Sequence, residues 1–349
     1  MQHIKYQKIY DRIDKYNLNN LKTSGKWVAT EKIHGSNFSI YYDATSSDVD
    51  KIRFAKRSTF LQNNDWFYNY QLIKSKLEKN VEKISQLLGN KPIIVYGELF
   101  GGWYPDPDTW KGAQIGKNRR VDDKGFCLIA QEDRAIQEGI YYSPNIEYMV
   151  FDIAVVEDND IKFINYLDLI DLVKQTELLY AKSLIIGSYN ELINYNIEFD
   201  SMIPSQLGLP KLPKGTNLAE GIVIKPLDAS FVKDTKGKNR RVLIKNKNKK
   251  FLEVNSTFEM EKTCMSYKFV LLNLINQNRF QAVISKIGRL TNDNKQEVLD
   301  AYVEDVLCDF YQNYSHILID DYDCAYAFVA KQSEKIINMN MPNNYTSNN

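Results

Sequence analysis

The chain has 349 residues, 44% hydrophobic and 26% charged, with a formal net charge of +1. That length exceeds what one hydrophobic core usually serves, so two domains are expected, and the composition excludes a disordered or low-complexity chain. No apolar run reaches membrane-spanning length, and no apolar leader precedes the first elements. Four scattered cysteines (Cys127, Cys264, Cys308, Cys324) form no Cys-x-x-Cys pair. They read as buried thiols of a reducing compartment rather than as a disulfide framework or a zinc site. An intracellular location without a membrane partner is expected, the cytoplasm favoured and an organelle left open.

Residues 4–24 read as a short helical lead-in before Ser24-Gly25. Lys26–Lys32 alternates as a strand, and after a His34-Gly35 turn Phe38–Tyr42 alternates again. A third strand, Lys51–Lys56, leads into Arg57. Helical spacing of Trp66, Tyr70, Ile73, Leu77, Val81, Ile84 and Leu88 predicts a helix over 65–88, stopped by Gly89. The β-branched run 92–96 enters Gly97-Glu98-Leu99-Phe100-Gly101-Gly102, and 103–140 reads as an irregular insertion. Strands 148–156 and 161–164, a helix from Asp168, a Pro-rich connector at 203–216, and strands 221–225 and 241–245 follow. After about Leu252 the pattern turns helical: 261–276, 280–287, 293–310 and 321–337. The expected organisation is a strand-rich domain over 1–252 and an all-helical domain over 253–349.

Neutrality overall hides a local asymmetry. Between Lys233 and Lys250 there are nine basic residues and one acid, Asp234, whereas 296–330 holds eight acids and no Lys or Arg. The basic run favours a polyanion.

Lys32 ends a strand two residues before His34-Gly35. Taken alone it reads as a surface lysine beside a turn, as most lysines are, and a second Lys-x-x-Gly begins at Lys22. What distinguishes Lys32 is company in fixed order: Phe54-Ala55-Lys56-Arg57, Tyr96-Gly97-Glu98-Leu99-Phe100-Gly101, Val150-Phe151-Asp152-Ile153, Ala219-Glu220-Gly221 through Lys225-Pro226, and Val242 through Lys247. Every one lies at a strand end, where side chains can converge on a cleft.

This set resembles motifs I, Ia, III, IIIa, IV and V of the covalent nucleotidyltransferases, the ATP-dependent ligases and capping enzymes. His34 before the Gly, where DNA ligases and capping enzymes carry Asp or Asn, makes it similar to the RNA ligase 2 family of phage and kinetoplastid editing ligases. Val283-Ile284-Ser285-Lys286-Ile287-Gly288 extends the likeness into the helical part. The resemblance implies an α+β fold, with a nucleotidyltransferase domain of antiparallel sheets flanked by helices (ATP-grasp-like) and a small all-helical domain behind it. It implies ATP and Mg²⁺, with Mn²⁺ able to substitute, and RNA bearing 3′-OH and 5′-phosphate ends, preferentially at a nick in a duplex, within an RNA repair or editing complex. Lys32 would take AMP as a lysyl-N-AMP, with Lys225, Lys245 and Lys247 as the catalytic cations that neutralise phosphate and depress the nucleophile's pKa.

The same resemblance implies a nucleotide pocket of Glu31, His34, Asn37, Arg57, Glu98 (ribose), Phe151 (adenine stacking) and Glu220, together with those lysines. Asn37, Arg57, Asp152 and Lys247 would meet the RNA, and Glu220 would place the metal. Arg240-Arg241, Lys249-Lys250 and Lys117-Asn118-Arg119-Arg120 would track RNA phosphates. The competing readings are a DNA ligase or capping guanylyltransferase on the same fold, or a catalytically silent RNA-binding subunit. His34 and the helical C-terminal part weigh against the first pair; intact motifs weigh against the last.

Overall fold

The structure, a computed structural model, describes residues 1–17, 25–46, 51–62, 65, 67–106, 109, 120–121, 127–128, 135–137, 139–157, 160–251, 267–314, 319 and 321–341. Lys22, Lys117, Asn118 and Arg119 lie outside these residues. The chain divides into two compact units, Met1–Asn248 and Lys249–Asn349. The first unit contains β1 (Trp27–Glu31), β2 (Ser36–Tyr42), β3 (Ile52–Lys56), α1 (Lys74–Leu87), β4 (Ile93–Trp103), β5 (Arg120–Val121) and β6 (Cys127–Leu128). It continues with β7 (Ser143–Glu157), β8 (Asp160–Phe163), α2 (Tyr166–Val173), β9 (Leu179–Tyr180), β10 (Ser183–Gly187), α3 (Tyr189–Ile193) and α4 (Ile203–Gln206). Strands β11 (Gly221–Pro226), β12 (Phe231–Lys233), β13 (Asn239–Arg241) and β14 (Ile244–Lys247) complete it. The described part of the second unit is helical: α5 (Tyr267–Leu274), α6 (Gln277–Ile287), α7 (Lys295–Asn313) and α8 (Tyr322–Met339), with a short helical turn at Lys249–Phe251.

Two antiparallel sheets organise the first unit, so the α+β class and the sheet type are as expected. One has the order β10-β1-β11-β14, the other β3-β2-β4-β7-β8, with β9 added parallel to β7. In the first sheet Trp27, Ala29, Ile222, Ile224 and Ile244 enter one apolar core with Leu192 and Val242. Period-two alternation therefore sends Thr30, Lys225, Lys245 and Lys247 to the opposite face. In the second sheet Phe38, Ile40, Val95 and Leu99 pack on Leu77, Val81 and Ile84 of α1. The other face holds Tyr41, Ile94, Tyr96 and Ala154 against Tyr6 and Leu243. Further along that face, by register, lie Asn37, Glu98 and Asp152. The two polar faces meet, because Lys225 of the first sheet reaches Asp152 of the second at 2.9 Å.

Several local expectations are corrected. The N-terminal stretch is largely extended, with a single helical turn at Ile13–Lys15. Tyr10 bridges Ile244, and its carbonyl accepts from the Lys245 N–H at 2.7 Å. Burial of Tyr6 and Tyr16 against the sheets outweighs local helical spacing. The helix expected from residue 65 starts at Lys74, because Tyr68 and Asn69 turn the chain at φ 49° and 55°. That turn lets Phe67 stack on Phe38 and Tyr70 pack tilted against it. The strand read over 241–245 is split, since the Tyr16 hydroxyl inserts there. It donates to the Arg241 and Leu243 carbonyls and accepts from the Leu243 N–H. Cys308 and Cys324 are exposed, not buried.

In the second unit, Val298, Tyr302, Val306 and Phe310 of α7 form a buried stripe at helical spacing. Arg279 is fully buried. Its guanidinium reaches Asp305 at 2.6 Å and Asp309 at 2.8 Å, and its Nε donates to the Leu274 carbonyl at 2.8 Å. Two acids of the acidic stretch are thus matched internally.

Candidate active site

Lys32 follows β1 directly, and its N–H donates to the Gly221 carbonyl at 2.9 Å, so the nucleophile candidate sits beside the start of β11. Its Nζ lies 2.7 Å from Glu220 Oε2. His34 Nδ1 is 3.4 Å from the same oxygen, and Lys247 Nζ is 3.2 Å from Oε1. Burial, the largest influence on Glu220, pushes its pKa up. Lys32, Lys247 and His34 outweigh it, and the carboxyl is held well below the usual range. Glu220 therefore stays ionised, with a fixed geometry.

Close approach of backbone makes this cluster possible. At Gly221 φ is 140°, and a Cβ would stand 2.1 Å from the Asn246 carbonyl oxygen. At Gly35 a Cβ would stand 2.2 Å from the Leu99 carbonyl oxygen, so the loop after Lys32 lies directly on β4. Glu98 projects from β4 into the same region. Burial raises its pKa to about 8; Lys32 and Arg57 pull it down, Glu220 pushes it up, and the Gly35 N–H bonds to it. Lys32, His34, Arg57, Glu98, Glu220 and Lys247 thus share one polar site, with Asn37 opposite Glu98 in register.

Lys225 belongs to a second cluster. It pairs with Val28, not with Lys32, across β1 and β11. Its Nζ donates to the Phe151 carbonyl at 2.7 Å and to Asp152 Oδ1 at 2.9 Å. Asp152 Oδ2 takes Arg241 and the Tyr6 hydroxyl as further partners. Burial, which alone would raise the Asp152 pKa, loses to Arg241 and Lys225, and the net direction is down. Burial also lowers Lys225, against Asp152. The Phe151 ring meets Tyr6 edge-on at 5.0 Å between centroids. Lys245 is half-buried, opposite Val223.

Arg240 and Arg241, expected to track phosphates, are engaged within the protein. Arg240 pairs with Asp234 at 2.7 Å, and Arg241 is 2% exposed beside Asp152. Tyr6, Arg241, Tyr142 and Gln137 are the neighbours that sequence reasoning did not place. Tyr142 receives the His34 N–H at 2.9 Å, and Gln137 donates to the Gly35 carbonyl at 3.2 Å. Arg241 carried a signal as a member of the basic run, and Tyr142 as part of Glu138–Pro144, a segment that resembles the editing ligases. Glu31 points the other way from Lys32: it accepts from the Met202 N–H at 2.9 Å, and burial lifts its pKa to about 7 against hydrogen bonds from Ser201 and Met202. Among the described residues no group of three or more His, Cys, Asp or Glu forms a metal site.

The cluster around Glu220 lies where the two sheets face each other, and comparison with known proteins gives the class. The RNA ligase family model matches residues 25–247, and the model described as T4 RNA ligase 2 C-terminal matches residues 269–344. The chain belongs to the RNA ligase family, of the RNA ligase 2 type. It is 33% identical over 234 residues to the mitochondrial RNA-editing ligase 2 of Trypanosoma brucei brucei, covering 62% of this chain and 54% of that protein. To the mitochondrial RNA-editing ligase 1 of the same organism it is 30% identical over 215 residues, covering 57% and 44%. The match thus spans about half the length of these curated relatives. Among solved structures, a Naegleria gruberi RNA ligase mutant with ATP and Mn aligns at 16% identity and TM-score 0.43, over 72% of this chain and 58% of that one. The Naegleria gruberi RNA ligase with PPi aligns at 15% and 0.37, over 72% and 60%. No helix among the described residues is long and apolar enough to cross a membrane.

Proposed function

We propose that this chain is an ATP-dependent RNA ligase that joins 3′-OH and 5′-phosphate RNA ends, preferring nicks in duplex RNA. The observation that carries the reading is one carboxylate, Glu220, gripping Lys32, His34 and Lys247 together beside Glu98. In a chain of this family, that grouping fits a nucleophile, a phosphate-binding pair and a sugar-binding acid. The chemistry resides in residues 1–252, followed by the all-helical domain over 253–349.

Lys32 attacks the α-phosphorus of ATP; an N–P bond forms, the bond to pyrophosphate breaks, and the amine's proton passes to solvent, which Lys32 reaches. Glu220 holds the amine on line until phosphate arrives. Its depressed pKa makes it an orienting group and a poor proton acceptor. Lys247, Lys245 and Arg57 meet the phosphates, Arg57 with a planar fork suited to them. Glu98 accepts from ribose hydroxyls, Phe151 faces the base, and His34 and Asn37 complete the pocket, with Glu31 behind it. AMP then passes to the RNA 5′-phosphate, and the 3′-OH displaces it. Asp152, without surface of its own, serves the RNA steps by fixing Lys225.

A carboxylate already shared by Lys32, Lys247 and His34 suits a divalent ion carried mainly by phosphate oxygens. Mg²⁺, or Mn²⁺ in its place, would be held there by Glu220 and would neutralise developing charge. The names of the relatives favour work in an RNA repair or editing complex and leave an organelle as well as the cytoplasm open. Incubation with radiolabelled ATP and Mg²⁺ should yield a covalent protein–AMP adduct, stable in alkali and labile in acid as a phosphoramidate is, that Lys32→Ala abolishes. An adduct surviving that change would sink the mechanism. Nicked duplexes with a ribose 3′ end should seal faster than those with deoxyribose.

A further inference from the structure

The segment before β7 and the connector before β11 together hold both flanks of Lys32. On the downstream flank, the Tyr142 hydroxyl accepts the His34 N–H at 2.9 Å. Tyr142 is 2% exposed, its ring packs edge-on against Phe100, and burial holds its phenol well above the ordinary range, hence neutral. Its hydroxyl sits within the field of Glu31, Glu220 and Glu98, so a neutral acceptor there adds no further negative charge.

Tyr142 is itself placed by its neighbour's backbone. Asn217, 3% exposed, accepts the Tyr141 N–H with Oδ1 and donates to the Tyr141 carbonyl with Nδ2, both at 2.8 Å. The Asn217 carbonyl in turn takes the Ser201 N–H at 2.8 Å. Ser201 and Met202 are the residues that hold the Glu31 carboxylate on the upstream flank.

We infer that Tyr142, fixed by the Asn217 amide clamp on Tyr141, is a positioning residue for the adenylation step: it sets the His34-Gly35 backbone and so the reach of Lys32. This inference rests on the ligase reading. The sequence contacts span Lys32 to Asn217, so no local motif supplies them. Because the bond is to backbone, its loss displaces the nucleophile's loop without removing any group that touches ATP. A displacement of that kind costs rate rather than affinity.

The test separates two steps of the same protein. Single-turnover labelling with radiolabelled ATP gives the rate constant of protein–AMP formation. Sealing of chemically pre-adenylated nicked RNA gives a later step that bypasses Lys32 attack. Tyr142→Phe keeps the ring and should slow adenylation roughly 10- to 100-fold at saturating ATP, with the ATP KM nearly unchanged. Sealing of the pre-adenylated nick and the melting temperature should stay near wild type. Asn217→Ala should follow the same pattern, and decides the matter if Tyr142→Phe does not fold. Wild-type adenylation in the folded variant, or equal loss of both steps, overturns the positioning role. No adduct in the wild-type protein would overturn the ligase reading and this inference with it.

Discussion

Asp152 and Glu220 occupy the facing sheets of one unit, and each gathers two basic side chains and one further group. Their partners differ in access. Around Asp152, the Lys225 and Arg241 side chains are 6% and 3% exposed; around Glu220, Lys32 and His34 are 21% and 16% exposed. A lysine sealed beside a carboxylate is committed to the scaffold, because separating the pair strands a buried charge. A lysine paired at the edge of a cleft can exchange its carboxylate for an arriving phosphate. The same residue types are thus sealed in one place and reachable from solvent in the other.

The sharpest way to break this contrast is Lys32→Ala. It should abolish protein–AMP formation in the labelling assay while leaving the melting temperature close to wild type. Glu220→Gln should come next, with adenylation down about 10²- to 10³-fold, since it removes a fixed charge that orients the reacting amine. Asp152→Asn should act in the opposite register. Chemical denaturation should record a loss of about 3–5 kcal/mol, the usual cost of leaving buried cations unmatched. A folded Asp152→Asn protein of wild-type stability would erase the distinction between the clusters.

A smaller effect should appear in pH. Glu98 and Glu31 have folded pKa values raised to about 8 and about 7, above their ordinary 4.5. Between those limits the folded state binds more protons than the unfolded chain, so their contribution is whole below pH 4.5 and declines as pH rises toward 8. Glu98→Gln should flatten the fall of melting temperature across pH 5–8. Asp152, shifted downward, should contribute above its ordinary pKa of 3.8 and lose that contribution as pH falls further.

The strands that place Lys32, Glu98, Asp152 and Glu220 were legible in the sequence from their β-branched and apolar runs, although Lys32 and Glu220 flank β1 and β11 while Glu98 and Asp152 lie inside β4 and β7. The grouping around Glu220 was legible only through ordered resemblance, since Lys32 and Glu220 are 188 positions apart. Tyr6 illustrates what was not legible: it lies in a stretch with weak periodicity, and its hydroxyl partner is 146 residues away. The segment 67–73 misled for another reason. Its aromatic spacing fits a helix, but packing on Phe38 and Phe54 selects a left-handed turn. Edge strand β10 carried little alternation to find, because its pattern of exposure is half-open on both faces.

The order β10-β1-β11-β14 also has a consequence for biogenesis. The strand that delivers Lys32 leaves the ribosome well before both of its neighbours in the sheet, β10 and β11, which begin only at Ser183 and Gly221. Until then β1 has no lateral partner, and such long-range closure is slow and prone to misassembly. Chains stalled before Gly221 would expose an unpaired, apolar edge and should bind chaperones or aggregate, whereas chains released after Lys247 have the complete sheet to fold into.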